Sequence, residues 1–141
     1  MPETLESPPT HTCWLPRHRK SVGLARGLLR EYLDEVMDGE RLLDSGELVL
    51  SELVTNAILH ARTPRGRLIA VQFAMAGDCL RVEVHDASSV RPAVREVGTL
   101  GVGGRGLYLV MSMSQQWGCC PRTPGVGKIV WAVVPPARSG C

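Results

Sequence analysis

The length, composition and charge of the chain indicate one domain with an aliphatic core. Its 141 residues are 44% hydrophobic but only 4% aromatic, and a formal net charge of +2 gives no reason to expect a surface for nucleic acid or membrane. Five cysteines without a CxxC pair argue against a disulfide framework and a structural zinc site, and no apolar run approaches the length of a membrane-spanning helix.

The two ends of the chain are expected to lie outside the folded domain. Residues 1–10 are polar and proline-rich, which predicts a disordered tail. They also lack the apolar centre of a signal peptide, so we expect a cytoplasmic location. Residues 11–136 are predicted to form the domain, and residues 137–141 a C-terminal tail.

Hydrophobic spacing predicts a short strand followed by two helices. The strand covers residues 11–15 and is ended by Pro16. Ser21 is a suitable N-cap for a helix whose apolar residues recur with helical spacing up to Val36. The second helix is predicted to begin near Arg41 or Asp44 and to end near Ala61.

The rest of the domain is predicted to consist mainly of hairpins. Alternating or continuous apolar residues predict strands over 68–75 and 79–85, with a turn at Ala76-Gly77-Asp78 between them. A long loop, a helix over 106–113 and two strands over 116–121 and 128–134 follow. Helices separated from antiparallel hairpins indicate an α+β fold. We expect a two-layer sandwich, in which about three helices cover one face of a mixed, mostly antiparallel sheet.

Polar residues recur one turn apart on the second helix, which is otherwise largely apolar. Glu52, Asn56 and His60 are spaced i, i+4 and fall within an arc of about 80°. An amide oxygen suits Mg²⁺, and a carboxylate one turn away can orient or deprotonate a nucleophile. On the helix alone, a ligand-binding face and a solvated edge explain this spacing equally well.

Two further motifs suit a nucleotide. Asp86 ends a predicted strand and is followed by small residues that include Ser88, so its carboxylate can accept a hydrogen bond from an exocyclic amine such as that of adenine. The run Gly103-Gly104-Arg105-Gly106 opens a predicted helix, where backbone amides can approach phosphate oxygens. Each motif alone is weakly specific, but their order and strand context make the combination specific.

Together these motifs resemble the GHKL (Bergerat-fold) ATPase domain. The resemblance rests on Glu52-Leu53-Val54-Thr55-Asn56-Ala57, Asp86-x-Ser88, Gly104-Arg105-Gly106-Leu107, Trp117-Gly118 and Gly127-Lys128-x-Val130-Trp131. It covers about residues 12–134 and is greatest to the actinobacterial anti-sigma-factor serine kinases similar to RsbW and SpoIIAB.

The resemblance implies a site for ATP and Mg²⁺ beneath a lid formed by residues 88–104. Asn56 would be the Mg²⁺ ligand, Glu52 the general base and Asp86 the contact to the adenine amine. Ser88, Gly103 and Arg105 would line the nucleotide beside the glycine box of Gly104 and Gly106. His60 would either reach the nucleotide or lid, or be a histidine satisfied at the helix end.

The resemblance also implies protein partners and two alternative functions. One function is a serine/threonine kinase that holds a sigma factor inactive and phosphorylates a small antagonist protein; the other is an ATP-binding module that sequesters its partner without catalysis. A homodimer is a further expectation. The catalytic half of a histidine kinase fits less well, because no dimerisation hairpin or phosphoacceptor helix is evident in the sequence.

The sequence departs from the family pattern at two places. The first glycine box usually reads Asp-x-Gly-x-Gly, but here Asp86 is followed by Ala87-Ser88-Ser89-Val90, which puts the lid hinge and the nucleotide affinity in question. Relatives often carry a threonine near the adenine after Gly-Lys, and this chain has Ile129. We therefore expect one hydroxyl contact to the adenine to be missing.

Overall fold

The part of the chain that the structure describes folds into one sheet and two long helices. A computed structural model describes residues 10–60, 68–86, 109–110, 112–121 and 127–138. The elements, in chain order, are β1 (His11–Pro16), α1 (Lys20–Asp34), α2 (Glu40–His60), β2 (Leu68–Ala76), β3 (Cys79–Asp86), β4 (Gln116–Pro121) and β5 (Lys128–Val134).

The five strands form a sheet in the order β1-β2-β3-β5-β4, and every pairing is antiparallel. The turn between β2 and β3 falls where the sequence predicts it, with Gly77 in the left-handed region at φ 64°. The α+β class and the mostly antiparallel sheet are therefore confirmed. In the segment predicted as a third helix, the described residues 109–110 and 112–113 are helical.

Alternation along the strands gives the sheet one apolar face and one mixed face. On β3, Val82 and Val84 are buried. They alternate with Arg81, Glu83 and His85, which are partly exposed. The apolar face meets the helices, because α1 packs on β1 and β2, and α2 packs on β3 and β5. The core thus lies between the helix layer and the sheet. Its best-buried side chains include Leu29, Leu42, Leu50, Leu53, Val54, Ile69, Val71, Phe73, Leu80 and Val82.

The other face of the sheet, which we call the open face, carries a stack built around Trp131. The Arg81 guanidinium lies 4.5 Å from the centroid of the indole, a cation–π distance. A Cβ on the cross-strand neighbour Gly118 would lie only 2.8 Å from the same ring. Part of the Trp117-Gly118 motif is thereby explained, since only glycine leaves this space for the tryptophan.

The N-cap predicted at Ser21 is wrong. Helix α1 begins at Lys20, so Ser21 lies inside its first turn, and Arg19 occupies the cap position without a side-chain cap bond. The Ser21 hydroxyl instead donates to the backbone carbonyl of Pro16 and is fully buried. The serine therefore holds the start of α1 against the end of β1.

The start of α2 is tied to the end of the described chain. The Ala137 amide donates to the Arg41 carbonyl at 2.8 Å, and the Arg41 guanidinium donates to the Ala137 carbonyl at 2.8 Å. The helix is thus fixed to the sheet at its N-terminal end by the residues that follow β5. Among the described residues, no helix has the length and apolarity needed to cross a membrane.

Candidate functional site

Helix α2 places Glu52 and Asn56 at the border between its buried and exposed faces. Both side chains are partly buried, and Leu53, Val54 and Ala57 beside them are almost fully buried. The predicted one-turn spacing is therefore realised on an edge of the helix that is only partly open to solvent. The expectation of a fully solvated edge does not describe it.

The Asn56 amide has an unsatisfied donor in this position. Its Nδ2 atom has almost no accessible surface and no hydrogen-bond partner within the described part of the chain. A buried donor without a partner costs about 1–3 kcal/mol, so such groups are retained where something else supplies the partner. An amide offers an oxygen to a cation and N–H donors to phosphate oxygens, and this combination fits a metal-nucleotide.

Burial changes the acidity of Glu52. Desolvation raises the pKa of its carboxyl above the usual glutamate value. A carboxylate whose pKa is moved toward neutral pH accepts a proton more readily under physiological conditions, as a general base requires. The structure thus gives Glu52 an electrostatic environment suited to the role that the resemblance implies.

Asp86 lies at the C-terminal end of β3 and is 2% exposed. It has the same alternation as Val82 and Val84, so its side chain is on the face of the sheet that the helices cover. Its cross-strand neighbour is Lys128, the first residue of β5, which is also buried. The lysine Nζ donates to Asp86 Oδ1 at 3.3 Å and lies 3.2 Å from Oδ2.

Two of the three predicted chemical groups thus come from α2 and the third from the sheet beneath it. Helix α2, which carries Glu52 and Asn56, packs on β3, which ends at Asp86, and on β5. A buried amide donor without a partner among the described residues and a buried carboxylate at a strand end both fit an adenine nucleotide.

The other predicted site residues stay predictions from the sequence. Ser88, Gly103, Gly104, Arg105 and Gly106 lie outside the described residues, as does the proposed lid over 88–104. His60 is the last residue of α2, and its side chain is likewise outside the described part of the structure.

The structure corrects the expectation about Ile129. Residues alternate along β5, so Ile129 lies opposite His85 on the open face, on the other side of the sheet from Asp86. The residue next to Asp86 is Lys128, whose burial sequence reasoning missed. Its two-residue period with the buried Val130, Ala132 and Val134 indicates that it lies on the covered face, but not that it lies beside Asp86.

The chain aligns with solved structures of other proteins. The chain aligns over 93% of its length with a structure of the RsbU and RsbW domains of a Mycobacterium tuberculosis protein, at 21% identity and a TM-score of 0.65. It aligns over 85% of its length with the histidine kinase domain of a blue-light-activated histidine kinase from Erythrobacter litoralis, at 22% identity and a TM-score of 0.49. The chain spans 34% and 61% of those two chains, respectively.

The protein family of the chain is shown by a family model and not by these structural likenesses. No curated protein matches the chain significantly. The model of the histidine kinase-like ATPase domain, however, matches residues 15–133, from the end of β1 almost to the end of β5. All the described elements of the candidate site fall within this match. The chain belongs to the family of histidine kinase-like ATPase domains.

Proposed function

We propose that the chain is an ATP-binding anti-sigma factor with serine/threonine kinase activity toward a small antagonist protein. Family membership supports the nucleotide, and the likeness to a structure that contains an RsbW domain supports the regulatory role. The observation that carries the proposal is the Asn56 amide donor, which is buried on α2 without a partner among the described residues.

The proposal assigns roles to the three predicted site residues whose side chains the structure describes. The Asn56 oxygen would be a ligand of Mg²⁺, and its N–H groups would be available to phosphate oxygens. Asp86 accepts a hydrogen bond from the adenine amine. Glu52 takes the proton from the hydroxyl of the acceptor serine or threonine as that oxygen attacks, and its raised pKa suits this step. Bound Mg-ATP would supply the γ-phosphoryl group, whose bond to the β-phosphate oxygen would break to leave Mg-ADP.

The remaining parts of the proposal come from the sequence. Residues 11–136 form the ATP-binding domain. The nucleotide is surrounded by Ser88, Gly103, Gly104, Arg105 and Gly106. Residues 88–104 close over it. His60 contributes at the C-terminal end of α2. The partners are a sigma factor, a small protein that antagonises the anti-sigma factor, or both. A homodimer is the proposed assembly, and the cytoplasm is the proposed location.

A second candidate, an ATP-binding module without catalysis, is favoured by one observation. Ser88 and Val90 stand where the family pattern Asp-x-Gly-x-Gly, which begins at Asp86, has its two glycines. Glycine permits backbone conformations that these residues adopt only at a cost, so the loop would reorganise less freely around the phosphates. Retention of Glu52 favours the kinase instead.

One experiment separates the two candidates. Proteins are recovered with the chain from its native host, with and without Mg-ATP, and then incubated with γ-labelled ATP and either the parent chain or Glu52→Gln. Label on a recovered protein that depends on Glu52 supports the kinase. Nucleotide-dependent recovery without label supports the sequestering module. No adenine-nucleotide binding by the parent in calorimetry would overturn both.

A further inference from the structure

The Asp86–Lys128 pair places two opposite charges in a buried part of the sheet. Asp86 is 2% exposed and Lys128 is 6% exposed. They form the last pair between β3 and β5, and on the same face the next pair toward the middle of these strands is Val84 with Val130. The charges therefore adjoin the apolar core at the end of the sheet where Asp86 is proposed to meet adenine.

Stability of the fold does not by itself account for a buried ion pair. Removing two charges from water costs several kcal/mol per ion, and apolar replacements of similar volume are often neutral or stabilising. A pair of valines would continue the pattern of the neighbouring pair. A buried lysine at a carboxylate proposed to bind the ligand therefore points to a task in recognition.

The geometry of the contact indicates what that task is. The ammonium lies 3.3 Å from one carboxylate oxygen and 3.2 Å from the other, so it sits between them. The χ2 rotation of an aspartate is normally broad, and a cation between both oxygens restricts it. A carboxylate has about four acceptor positions, so a contact with one ammonium is compatible with a further hydrogen bond from a ligand.

We propose that Lys128 is a positioning residue that orients the Asp86 carboxylate for the exocyclic amine of adenine and so sets the preference for adenine. This inference rests on the proposed function, because it assumes that Asp86 faces the base. It adds a residue from a different strand, 42 positions away along the chain, to the recognition of the base. Lys128 acts through Asp86 and need not touch the nucleotide.

The test measures the contribution of the amine to binding. Dissociation constants for Mg-ADP and for purine riboside 5′-diphosphate, which lacks the amine, are determined by calorimetry for the parent and for Lys128→Met. The parent should bind ADP at least about tenfold more tightly, as expected for a hydrogen bond to a charged acceptor. In Lys128→Met this ratio should fall below about threefold, mainly through weaker ADP binding.

Two further variants make the result specific. Lys128→Arg keeps a cation beside Asp86 and should restore most of the ratio. Lys20→Met removes the other lysine of the chain, which is exposed at the start of α1, and should leave both constants unchanged. If Lys128→Met does not fold, Lys128→Gln provides the test, because its amide still donates to the carboxylate without charge. The ratio must then fall at least threefold.

The outcomes separate this inference from the proposed function. A parent that prefers ADP, together with folded Lys128 variants that keep or increase this preference, overturns the positioning role alone. An increased preference would mean that Lys128 competes with the base for the carboxylate. A parent that binds neither nucleotide overturns the proposed function and this inference with it.

Discussion

At the scale of single residues, the candidate site is marked by side chains whose burial does not benefit the fold. Asn56 keeps an amide donor without a partner among the described residues, and Glu52 is held where its charged form is disfavoured. Both features cost stability in the absence of a ligand. Residues of this kind are expected where function, rather than packing, determines the choice of amino acid.

The burial of Glu52 predicts a pH-dependent cost to stability. Because the pKa is raised on folding, the folded chain holds this proton more tightly than the unfolded chain. The resulting stabilisation is complete below the unfolded pKa of about 4.5 and is lost as the pH rises through the folded pKa. Glu52→Gln should therefore melt at the same temperature as the parent or a few degrees higher at pH 7, and this difference should shrink at pH 4.

Thermal melts at the two pH values check this expectation, with Glu35→Gln on an exposed position as the control. Glu52→Gln should also bind nucleotide normally and transfer the phosphoryl group about 10² to 10⁴ times more slowly, the usual loss when a general base is removed. A Glu52→Gln protein that is clearly less stable than the parent at pH 7 would show that the carboxylate has a structural role instead.

Asn56→Ala should separate stability from binding. Its amide donor makes no bond to the described residues, so removing it breaks none of their hydrogen bonds, and we expect the melting temperature without ligand to change by only a few degrees. The stabilisation by Mg-ATP should be largely lost, because a ligand of the metal is removed. Leu53→Ala is the contrasting variant, since this leucine is 2% exposed and its truncation typically costs about 2–5 kcal/mol. A normal Mg-ATP response in Asn56→Ala would remove Asn56 from the site.

At the scale of elements, local patterns predicted most of the structure. The bounds of β4 and β5 agree with the predicted strands, and β2 and β3 are each one residue longer, because alternation of apolar residues specifies a half-buried strand directly. The start of α1 was misplaced because a serine near a helix start also bonds to distant backbone, as Ser21 does to Pro16.

The part of the site that could not be predicted depends on contacts that are distant in sequence. The position of Lys128 beside Asp86 follows from the register between β3 and β5, which no local pattern contains. The same register places Ile129 on the open face. Glu52 and Asn56 could be predicted as a pair by their helical spacing, but whether that edge of α2 is buried depends on how α2 packs against the sheet.

The connection between α1 and α2 gives a prediction at this scale. A Cβ on Gly39 would lie 2.2 Å from the backbone oxygen of Leu33, whereas a Cβ on Gly27, on the exposed side of α1, would meet nothing within 4 Å. Gly39→Ala should therefore destabilise the chain by about 1 kcal/mol or more. Gly27→Ala should stabilise it by about 0.5–1 kcal/mol.

Urea denaturation of the two glycine variants measures both effects. The comparison controls for the substitution itself, which is identical at the two positions. Equal effects in the two variants would mean that the close approach of the α1–α2 connection to Leu33 is not maintained in solution.

At the scale of the whole molecule, nucleotide binding should be visible as stability. Ligand at 100 times its dissociation constant adds about 2.7 kcal/mol to the free energy of unfolding. Mg-ADP or Mg-ATP should clearly raise the melting temperature. Mg-GTP should raise it little, because guanine carries a carbonyl oxygen in place of the adenine amine that Asp86 is proposed to bind. No shift with any adenine nucleotide would contradict the proposed site.

Asp86→Asn tests the source of this selectivity. Removing the carboxylate leaves the Lys128 ammonium buried beside a neutral amide, so the variant should melt below the parent without ligand. Its additional loss should appear in the shift produced by ADP, which we expect to fall toward the shift produced by GDP. An unchanged ADP shift in a folded Asp86→Asn protein would show that the adenine is recognised elsewhere.

The two faces of the sheet also determine which binding events the tryptophan fluorescence of the protein can report. Trp14, which is 56% exposed, and Trp131 lie on the open face, whereas the Trp117 side chain packs against the core. A nucleotide between the helices and the sheet is separated from Trp14 and Trp131 by the sheet itself. A change in the fluorescence of Trp14 would therefore report an event on the open face. In a variant that retains Trp14 as its single tryptophan, a partner that binds the open face should change the fluorescence, and a nucleotide that binds the proposed site should not.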